Sequence, residues 1–496
     1  MKEVQPWDKE ADVVVIGYGG AGAVAAITAS EKGAKVVVLE KAPKPGGSTA
    51  TSSGAMRVPD NAEKAAQYIQ AISLGSVNAE TARVYGETWV EMVPWFEKRG
   101  AQLVFLERVP RRWNFAGVET FNKSVFVEAP GYKTGCGIYL FAFLDSLVKK
   151  RDVEVMLQTP AKRLIQDPAT KEIRGVIAET AGREIAIKAK KAVIMMCGGF
   201  EGNPEMLATY IESAPVPIYV SCTPYNTGDG IKMAIDVGAD LWHMNGIEWA
   251  RQGLKVPEFP AAFWISPAGW SWINVNSLGK RFRDESDTYG HTKKSLEVFH
   301  FVMEKTEWPN HPWYMIFDEK TRKAGPIVVG QREPGRPPFS TYNMSSGLYT
   351  PSQDNRKEIE KGWIKRADTL AELAVRTGVD PAGLQETVAA YNTHCHGVPP
   401  LDLDFGRNPG TLQPIDTPPY YSIECAVNII NTQGGPRRNA KGQVMSPYGA
   451  PIPRLYAGGE FGSIWGYLYP GACNLPECII SGIIAGTEAV AETPRE

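Results

Sequence analysis

A glycine-rich run near the start of the chain is the first set of residues with recognisable chemistry. Gly17-Tyr18-Gly19-Gly20-Ala21-Gly22 fits the spacing G-x-G-x-x-G and follows the apolar residues 13–16. In this spacing the first glycine permits a tight turn, the second lets a pyrophosphate approach the backbone, and the third lets a helix pack on a strand. Glu40 follows about 20 residues later, where a carboxylate binds ribose hydroxyls and repels a 2′-phosphate. These residues predict a dinucleotide site.

Strands and a helix must bring the turn and the acidic residue together. Residues 13–16 are four apolar, mostly β-branched residues without alternation, which predicts a buried strand. Residues 23–32 are rich in alanine and end at Gly33, which predicts a helix, and residues 35–39 predict the next strand. This βαβ unit is typical of the opening of a doubly wound parallel sheet.

Two later segments have the same buried-strand pattern. Residues 191–196 are stopped by Gly198-Gly199, and residues 455–457 are stopped by Gly458-Gly459. A helix is predicted over residues 477–490. We expect both strands to join the sheet that opens the chain.

The middle of the chain, residues 247–419, has a different composition, rich in tryptophan and proline. It also contains a predicted helical pair. Thr369-Leu370-Ala371-Glu372 is a capping box, Gly378 is a plausible helix stop, and Asp380-Pro381 supply the cap and first position of the next helix. This segment is expected to be an inserted domain.

The loop after the second strand bears on which dinucleotide is bound. Residues 45–54 are rich in glycine and hydroxyl side chains. Such a loop can lie along an extended cofactor and bond its phosphates and flavin edge, or it can be a flexible surface loop. Taken alone, these residues leave NAD and FAD both open.

Several ordered motifs make the chain resemble the flavoprotein family of fumarate reductase and 3-ketosteroid dehydrogenase. The resemblance covers nearly the whole chain and rests on residues 17–40, residues 46–54, Thr227-Gly228-Asp229-Gly230, residues 276–282 and Ala457-Gly458-Gly459-Glu460. It implies an α/β fold, with a Rossmann-like FAD-binding domain and an inserted α+β capping (catalytic) domain. The expected division is residues 1–250 and 416–496 for the FAD-binding domain and 251–415 for the cap.

The resemblance also implies which residues bind FAD. In family members the acidic residue matching Glu460 binds the ribitol or ribose, and the start of the last helix, here Asn474 and Leu475, faces the flavin pyrimidine edge. A helix N-terminus there stabilises negative charge on the flavin. The expected FAD-binding residues are Gly17, Gly19, Gly20, Ala21, Gly22, Glu40, Lys41, Gly46, Gly47, Ser48, Ser53, Gly54, Ala161, Gly198, Gly199, Asp229, Gly459, Glu460, Asn474 and Leu475.

The stretch of residues 461–476 distinguishes two branches of the family. It contains no Arg, Lys or His, and an uncharged wall cannot offset the desolvation of a dicarboxylate. A neutral ketone is therefore favoured. Ketosteroid dehydrogenases have a similar Tyr-Pro-Gly segment, in which a tyrosine hydroxyl and a backbone N–H hold the substrate carbonyl. Tyr469 precedes Pro470-Gly471, while Tyr467 matches the tyrosine of the Δ4-type enzymes by position, so both are candidates.

The catalytic base is expected in the cap. In Δ4-type ketosteroid dehydrogenases a tyrosine after a segment similar to Gly279-Lys280-Arg281-Phe282 is the base, and Tyr289 occupies that place, with His291 as the alternative. A tyrosine pKa of about 10 means that this base needs help near neutral pH. The Δ1-type base comes from a tyrosine slightly further along, and this chain has none at that spacing. The position of the new double bond therefore stays open.

Indole side chains favour a small substrate. Trp113, Trp264, Trp270, Trp272 and Trp465 lie in segments expected to border the cleft, and two of them facing inward would shorten it for a four-ring steroid. Core packing is the other reading of each tryptophan. A single-ring ketone such as cyclohexanone is slightly favoured over a 3-ketosteroid. The expected substrate-binding residues are Trp113, Trp465, Gly471 and Cys473.

The predicted activity is FAD-dependent α,β-dehydrogenation of a cyclic ketone, an oxidoreductase acting on CH–CH donors. The base takes the α-proton, and flavin N5 takes the β-hydride. The alternatives are an ene-reductase of the same family acting on an enone or unsaturated acid, and a flavin-binding module without catalysis. No haem or iron–sulfur cysteine set is present in the sequence, so the electron acceptor is expected to be external, a quinone or similar.

Composition excludes several other classes. The formal net charge is −2 without a block of Lys or Arg, which argues against nucleic acid. No stretch approaches the roughly 20 apolar residues that span a bilayer, and the polar start predicts a cytoplasmic protein. The seven scattered cysteines are expected to be free thiols. The side chains of His394-Cys395-His396 are expected to point in different directions because the residues are neighbours in the sequence. No metal is therefore expected there.

Overall fold

A computed structural model describes residues 6–107, 113–211, 216–250, 252–286, 297–328 and 341–495. The candidate bases Tyr289 and His291 lie outside these residues. Their assignment therefore stays a prediction from the sequence.

Strands occur throughout the described part of the chain. In chain order they are β1 Lys9–Ile16, β2 Val36–Leu39, β3 Met56–Val58, β4 Leu103–Glu107, β5 Lys123–Val127, β6 Val153–Met156, β7 Ala161–Gln166, β8 Ile173–Thr180, β9 Arg183–Met195, β10 Ile218–Val220, β11 Leu241–Trp242, β12 Ile247–Trp249, β13 Gly253–Leu254, β14 Phe263–Trp264, β15 Trp272–Asn276, β16 Trp313–Asp318, β17 Lys365–Ala367, β18 Tyr420–Cys425, β19 Val427–Thr432, β20 Gly435–Pro436, β21 Gln443–Met445 and β22 Pro451–Ala457.

The α-helices of the described residues alternate with these strands. They are α1 Gly20–Glu31, α2 Gly47–Thr51, α3 Ala62–Ile72, α4 Ala79–Val90, α5 Met92–Glu97, α6 Gly137–Lys149, α7 Pro204–Tyr210, α8 Asp229–Asp236, α9 Glu319–Ala324, α10 Tyr342–Ser345, α11 Arg356–Glu360, α12 Leu370–Thr377, α13 Pro381–His396 and α14 Asn474–Ala491.

The largest sheet is built around the strands predicted from apolar runs. Its order is β21-β22-β9-β1-β2-β6, and the pairs β22–β9, β9–β1, β1–β2 and β2–β6 are parallel. The first half of β9 extends beyond this layer and pairs antiparallel with β8, which pairs with β7. The predicted βαβ unit and the two later strands are confirmed, and the fold is the expected α/β type.

Helix α1 is buried along most of its length because it lies between the sheet and α14. The residues from Gly20 to Ala29 are all buried, which explains why the helix is rich in alanine and glycine. Large side chains would hold α14 away from it. The last helix begins at Asn474, three residues before the predicted start.

The middle of the chain forms a second layer with its own core. Strands β15, β16, β18 and β17 make an antiparallel sheet in that order, and residues of α12 and α13 pack with it in one apolar cluster. The predicted caps are confirmed: Thr369 Oγ1 accepts from the Glu372 N–H at 3.2 Å, and Asp380 Oδ2 accepts from the Gly383 N–H. Gly378 ends α12 in the left-handed region.

Strand β18 bears on the expected domain division. It pairs with both β16 and β17, so the sheet of the middle segment continues past residue 415. We keep the three-part division as a proposal and place its second boundary after Cys425. The strand could not be assigned from its sequence alone, because antiparallel pairing partners lie far away along the chain.

A buried ion-pair network closes the middle layer beside residues 276–282. Arg281 Nη2 lies 2.6 Å from Glu285 Oε2 and 2.9 Å from Asp402 Oδ2, and all three side chains are buried. Arg407 Nη1 donates to the carbonyl of Trp272 at 2.7 Å. Arg281 is therefore a structural residue that fixes the segment ending at residue 286. None of the helices in the described residues has the length and apolar character needed to cross a bilayer.

Candidate active site

A cavity of about 1340 Å³ opens where the parallel strands of the large sheet end. Ile16, Leu39, Met196 and Gly458 line it, and each lies at or just after the end of β1, β2, β9 or β22. Ligands of doubly wound sheets bind at this edge. The volume exceeds the roughly 300–1,000 Å³ of ordinary small-molecule pockets, as a site for a dinucleotide and a second ligand requires.

The glycine turn has two kinds of glycine. A Cβ on Gly22 would lie 1.9 Å from the Gly17 carbonyl oxygen, so this position must be glycine for the turn itself to form. A Cβ on Gly19 would meet only the Gly46 carbonyl oxygen, at 3.8 Å, and Gly19 lines the cavity. The space at Gly19 therefore serves a ligand rather than the protein. Helix α1 begins there without a side-chain cap, which leaves its N-terminus to a phosphate.

Glu40 ends the second strand beside this turn. Its carboxylate accepts from the N–H groups of Tyr18, at 2.8 Å, and Ala42, at 2.7 Å. Burial raises its pKa, although these backbone donors act in the opposite direction. Lys41 Nζ lies 2.6 Å from Asp229 Oδ2, so two further expected FAD residues meet across the cavity.

Most of the expected FAD-binding residues line one cavity. Gly22, Gly46, Gly54 and Gly199 do not, and each contacts protein atoms instead. A Cβ on Gly54 would lie 2.5 Å from the Cys136 carbonyl carbon, and one on Gly199 would lie 2.1 Å from Thr432 Oγ1. These glycines let loops approach closely. Those that line the cavity are Gly17, Gly19, Gly20, Ala21, Glu40, Lys41, Gly47, Ser48, Ser53, Ala161, Gly198, Asp229, Gly459, Glu460, Asn474 and Leu475.

Tyr469 also lines this cavity, five residues before α14 begins. Its hydroxyl oxygen accepts from the Cys473 N–H at 3.0 Å and from the Asn474 N–H at 3.3 Å. Burial raises the pKa of Tyr469 well above its ordinary value, and the nearby Glu248 carboxylate adds to this effect. The side chain is therefore a neutral phenol beside two backbone donors.

The structure separates the two candidate tyrosines. Tyr469 is 6% exposed and lines the cavity, whereas Tyr467 is 54% exposed and is not part of the lining. Gly471 lines the cavity next to Tyr469. Cys473 is buried and is not part of the lining; burial raises the pKa of its thiol to about 12, and its N–H is the group that contacts Tyr469.

Most of the five candidate tryptophans support backbone segments. Trp113 Nε1 donates to the Tyr469 carbonyl oxygen at 2.9 Å, and Trp465 Nε1 donates to the Cys473 carbonyl oxygen at 3.3 Å. Trp270 and Trp272 face the Arg407 guanidinium. Of the five, Trp264 is the one found among the described residues that line the cavity. Trp113 and Trp465 thus hold the segment that carries Tyr469.

Among the charged cavity residues that escaped the sequence-based prediction, two contact the segment of residues 471–474. Arg57, in β3, donates from Nε to the Gly471 carbonyl oxygen at 2.9 Å. Glu248, in β12, accepts from Asn474 Nδ2 at 3.0 Å. Each is the single charged residue of an apolar strand. That isolated charge is the sequence feature that could have indicated a functional residue. The wall formed by residues 461–476 carries no cation of its own, but β3 brings one to it.

One group in the second layer has the donor set of a metal site. The ligand atoms of His394, Asp402 and Asp404 lie within 4.8 Å of one another. Both oxygens of Asp402 already accept from Arg281, whose charge would oppose a bound cation. We therefore assign no metal role to this group.

The comparisons with known proteins agree with this geometry. Residues 12–475 match the FAD_binding_2 family, an FAD binding domain, and the chain belongs to this family. It is an FAD-dependent oxidoreductase. The residues of the site fit the cofactor through the open space at Gly19, the uncapped N-terminus of α1 and the acidic side chain of Glu40.

Individual relatives belong to both branches of the family. The chain is 28% identical to the 3-oxosteroid 1-dehydrogenase of Mycobacterium tuberculosis, over 93% of this chain and 95% of that protein. It is 26% identical to the NADH:fumarate oxidoreductase of Klebsiella pneumoniae, over 97% of this chain, but spans about half (48%) of that protein. The structure of 3-ketosteroid delta1-dehydrogenase from Sterolibacterium denitrificans, in complex with 1,4-androstadiene-3,17-dione, matches with a TM-score of 0.79 at 24% identity, covering 97% of this chain and 100% of that one.

The two kinds of glycine in the turn generate a prediction. Gly19→Ala should fold with an unchanged melting temperature when FAD is removed, because its methyl group meets one protein atom, the Gly46 carbonyl oxygen, at an ordinary contact distance of 3.8 Å. It should bind FAD about 1–3 kcal/mol more weakly, because the methyl group fills the space for the pyrophosphate. Gly22→Ala, the matched variant, should lose folded protein. FAD titration by fluorescence quenching and melting of both apoproteins measure this, and equal FAD affinity in Gly19→Ala and wild type would contradict it.

Proposed function

We propose that this enzyme removes hydrogen from the α and β carbons of a cyclic ketone, and that the Tyr469 hydroxyl holds the ketone oxygen. The observation that carries the proposal is that the Tyr469 hydroxyl oxygen, in the FAD cavity, accepts from the Cys473 N–H at 3.0 Å. This N–H orients the hydroxyl and polarises its O–H, which is the group that donates to a carbonyl oxygen. The relationship to 3-oxosteroid 1-dehydrogenase over nearly the full length of both chains supports it.

The hydroxyl acts on the charge that develops when the α-proton leaves. The ketone oxygen then gains negative charge, and donors fixed in place before the reaction stabilise it without reorganisation. Burial keeps Tyr469 protonated, so it can donate its O–H but cannot serve as a base. The N-terminus of α14 adds its partial positive charge at the same point.

The other half of the reaction needs a base and a hydride acceptor. When bound, FAD supplies the hydride acceptor. We propose Tyr289 as the base on its sequence context alone. Arg281 is engaged with Glu285 and Asp402, so help in ionising this tyrosine is expected from another group.

The ring size of the substrate has to be determined with a series of ketones. The argument for a single-ring substrate requires at least two tryptophans that face the cavity. Of the five candidates, Trp264 is the one that belongs to the described cavity lining. We therefore propose a cyclic ketone and test one to four rings. Tyr469 and Gly471 are neutral residues of this part of the lining, and the charged residues Arg57 and Glu248 come from β3 and β12.

The direct test is anaerobic reduction of the bound flavin by ketone. Addition of cyclohexanone, 1-decalone or 4-androstene-3,17-dione should bleach the yellow protein, and a quinone should restore the colour as the external acceptor. Cyclohexanol, which lacks the carbonyl, is the matched control. Tyr289→Phe should keep FAD and slow bleaching by about 10²–10⁴-fold, as expected for loss of a positioned base. His291→Gln should bleach at the wild-type rate, and the opposite ranking of the two variants would move the base to His291.

The two tyrosines of the Tyr-x-Tyr segment form a matched pair for the oxygen-binding role. Tyr469→Phe should retain FAD and lower the rate of flavin reduction by about 10²–10³-fold, the usual loss for one donor to a developing oxyanion. Tyr467→Phe should bleach normally, since this side chain is exposed outside the cavity. Stopped-flow rates at saturating ketone measure the effect. A larger loss in Tyr467→Phe than in Tyr469→Phe would reassign the donor.

A specific observation supports a second candidate, reduction of an unsaturated acid. Arg57 lines the cavity beside Gly471 and is positioned to bind a carboxylate at the edge of the Tyr469 site. Such a substrate would accept hydride at its β-carbon, in the reverse direction of the reaction above. The ketone proposal is preferred because the Nε of Arg57 is already bonded to the backbone.

Arg57→Met separates the two candidates. Under the acid-reductase candidate, prereduced wild-type protein should be reoxidised faster by an unsaturated acid than by its methyl ester. Arg57→Met should remove that preference, because the charge pair between Arg57 and the substrate carboxylate is lost. The loss should weaken binding of the acid by about 2 kcal/mol or more. Under the ketone proposal the acid and the ester should both be slow with either protein. Reoxidation rates followed at the flavin absorbance give the result.

A further inference from the structure

A buried and a half-buried carboxyl group share one side-chain donor at the FAD cavity. Asn226 Nδ2 donates to Glu201 Oε1 at 2.6 Å and to Glu460 Oε1 at 2.8 Å. It also lies 3.1 Å from Ser48 Oγ, which bonds Glu460 in turn. The two carboxyl groups therefore lie close together, joined through a single nitrogen.

Their positions relative to the cavity differ. Glu460 lines the cavity, in the expected FAD-binding set, whereas Glu201 is 1% exposed and lies behind Asn226, outside the lining. Glu201 Oε2 also accepts from the Thr432 hydroxyl at 3.0 Å. Glu201 therefore belongs to the support of the site and cannot reach the cofactor directly.

The cation Arg438 lies near this pair, and its guanidinium bonds the Gly459 carbonyl oxygen and pairs with Glu477. Within the described part of the chain, neither carboxyl group has an ion pair with a Lys, Arg or His side chain at 4.0 Å or less. The titratable groups that face the pair are Glu248, Cys222 and Cys478. Burial raises the pKa of Cys222 to about 12 and raises that of Cys478 as well, so both thiols remain neutral.

Two like charges at this separation in a buried site cannot both be present without a large cost. Burial raises the pKa of both carboxyl groups, and their mutual repulsion raises that of Glu460 further. The pair therefore retains one proton at a pH where isolated glutamates have lost theirs. Its titration belongs to the pair rather than to either residue.

We propose that FAD binding is linked to protonation of this pair, so that Glu201 and Glu460 together keep one proton in the complex and present a single negative charge to the cofactor. With one negative charge on the pair, the Glu460 oxygens can accept hydrogen bonds from cofactor hydroxyls. A second negative charge would add repulsion, both within the pair and with the cofactor phosphates. Glu201 thus acts as a positioning residue for the cofactor, through Asn226.

The direction of the pH dependence follows from this arrangement. The bound cofactor adds negative charge and excludes water, so the complex holds the proton to a higher pH than the free protein does. FAD affinity is then full at low pH and decreases as the pH rises through the pKa of the pair in the free protein. In the range where one proton is taken up on binding, affinity changes about tenfold per pH unit.

The experiment measures FAD dissociation constants between pH 6 and 9 by fluorescence quenching with wild type, Glu201→Gln and Glu205→Gln. Glu205 is an exposed glutamate four positions away and serves as the matched control. Wild type and Glu205→Gln should bind FAD at least tenfold more weakly at pH 9 than at pH 7. Glu201→Gln should show a flat profile, because its amide is neutral at every pH.

Calorimetry provides a readout independent of any variant. FAD titrations at pH 8 in two buffers of different ionisation enthalpy should show net proton uptake by the wild-type apoprotein. A wild-type affinity independent of pH, or the wild-type slope retained in Glu201→Gln, would overturn the proposal. The proposal would also fail if Glu248→Gln, rather than Glu201→Gln, flattened the profile.

Discussion

The close packing of α14 on α1 is the contact on which the rest of the site depends. A Cβ on Gly482 would lie 2.8 Å from the Val24 Cβ, and one on Gly486 would lie 2.8 Å from the Ala25 carbonyl oxygen. The two helices therefore run side by side in the same direction, although more than 400 residues separate them in the sequence. Their N-termini consequently open into one cavity. One can take the phosphates of FAD, and the other lies beside Tyr469, the residue proposed to bind the substrate oxygen.

This arrangement explains why the cavity tolerates several buried acids. Glu40, Glu248 and Glu460 line it, and each accepts hydrogen bonds from backbone or amide N–H groups. Helix N-termini and amide donors provide partial positive charge that does not depend on pH. Two of the cations in its lining have other partners, since Lys41 pairs with Asp229 and Arg57 donates to the Gly471 carbonyl oxygen. Tyr469 fits the same pattern, since it is neutral and lies among backbone donors.

The sequence predicted those parts of the site whose signals are local. The turn at Gly17, the strand before it and the capped helices near Thr369 each depend on neighbours a few residues away, and the structure confirms them. Local patterns also separated Tyr467 and Tyr469 from the rest of the chain, but could not rank them. Their exposure differs because α14 begins just after Tyr469 and covers one of them.

Other features depend on contacts between distant segments. Arg57 meets Gly471 because β3 lies against the segment that precedes α14, and no spacing in the sequence indicates this contact. Asn226 meets two glutamates from different loops for the same reason. The tryptophans were misleading as a group, because a large apolar side chain supports backbone more often than it lines a cleft. The amino-acid composition does not show which tryptophans support backbone and which line the cleft.

The hydrogen bond from Trp113 to the Tyr469 carbonyl oxygen gives the family a route for changing substrates. Trp113 lies between β4 and β5, outside the cavity lining, yet its indole holds the backbone that carries the hydroxyl proposed to bind the substrate oxygen. A change of length between β4 and β5 would displace Tyr469 without altering any residue proposed to contact the substrate. The reach of the site can therefore change through a segment outside the cavity.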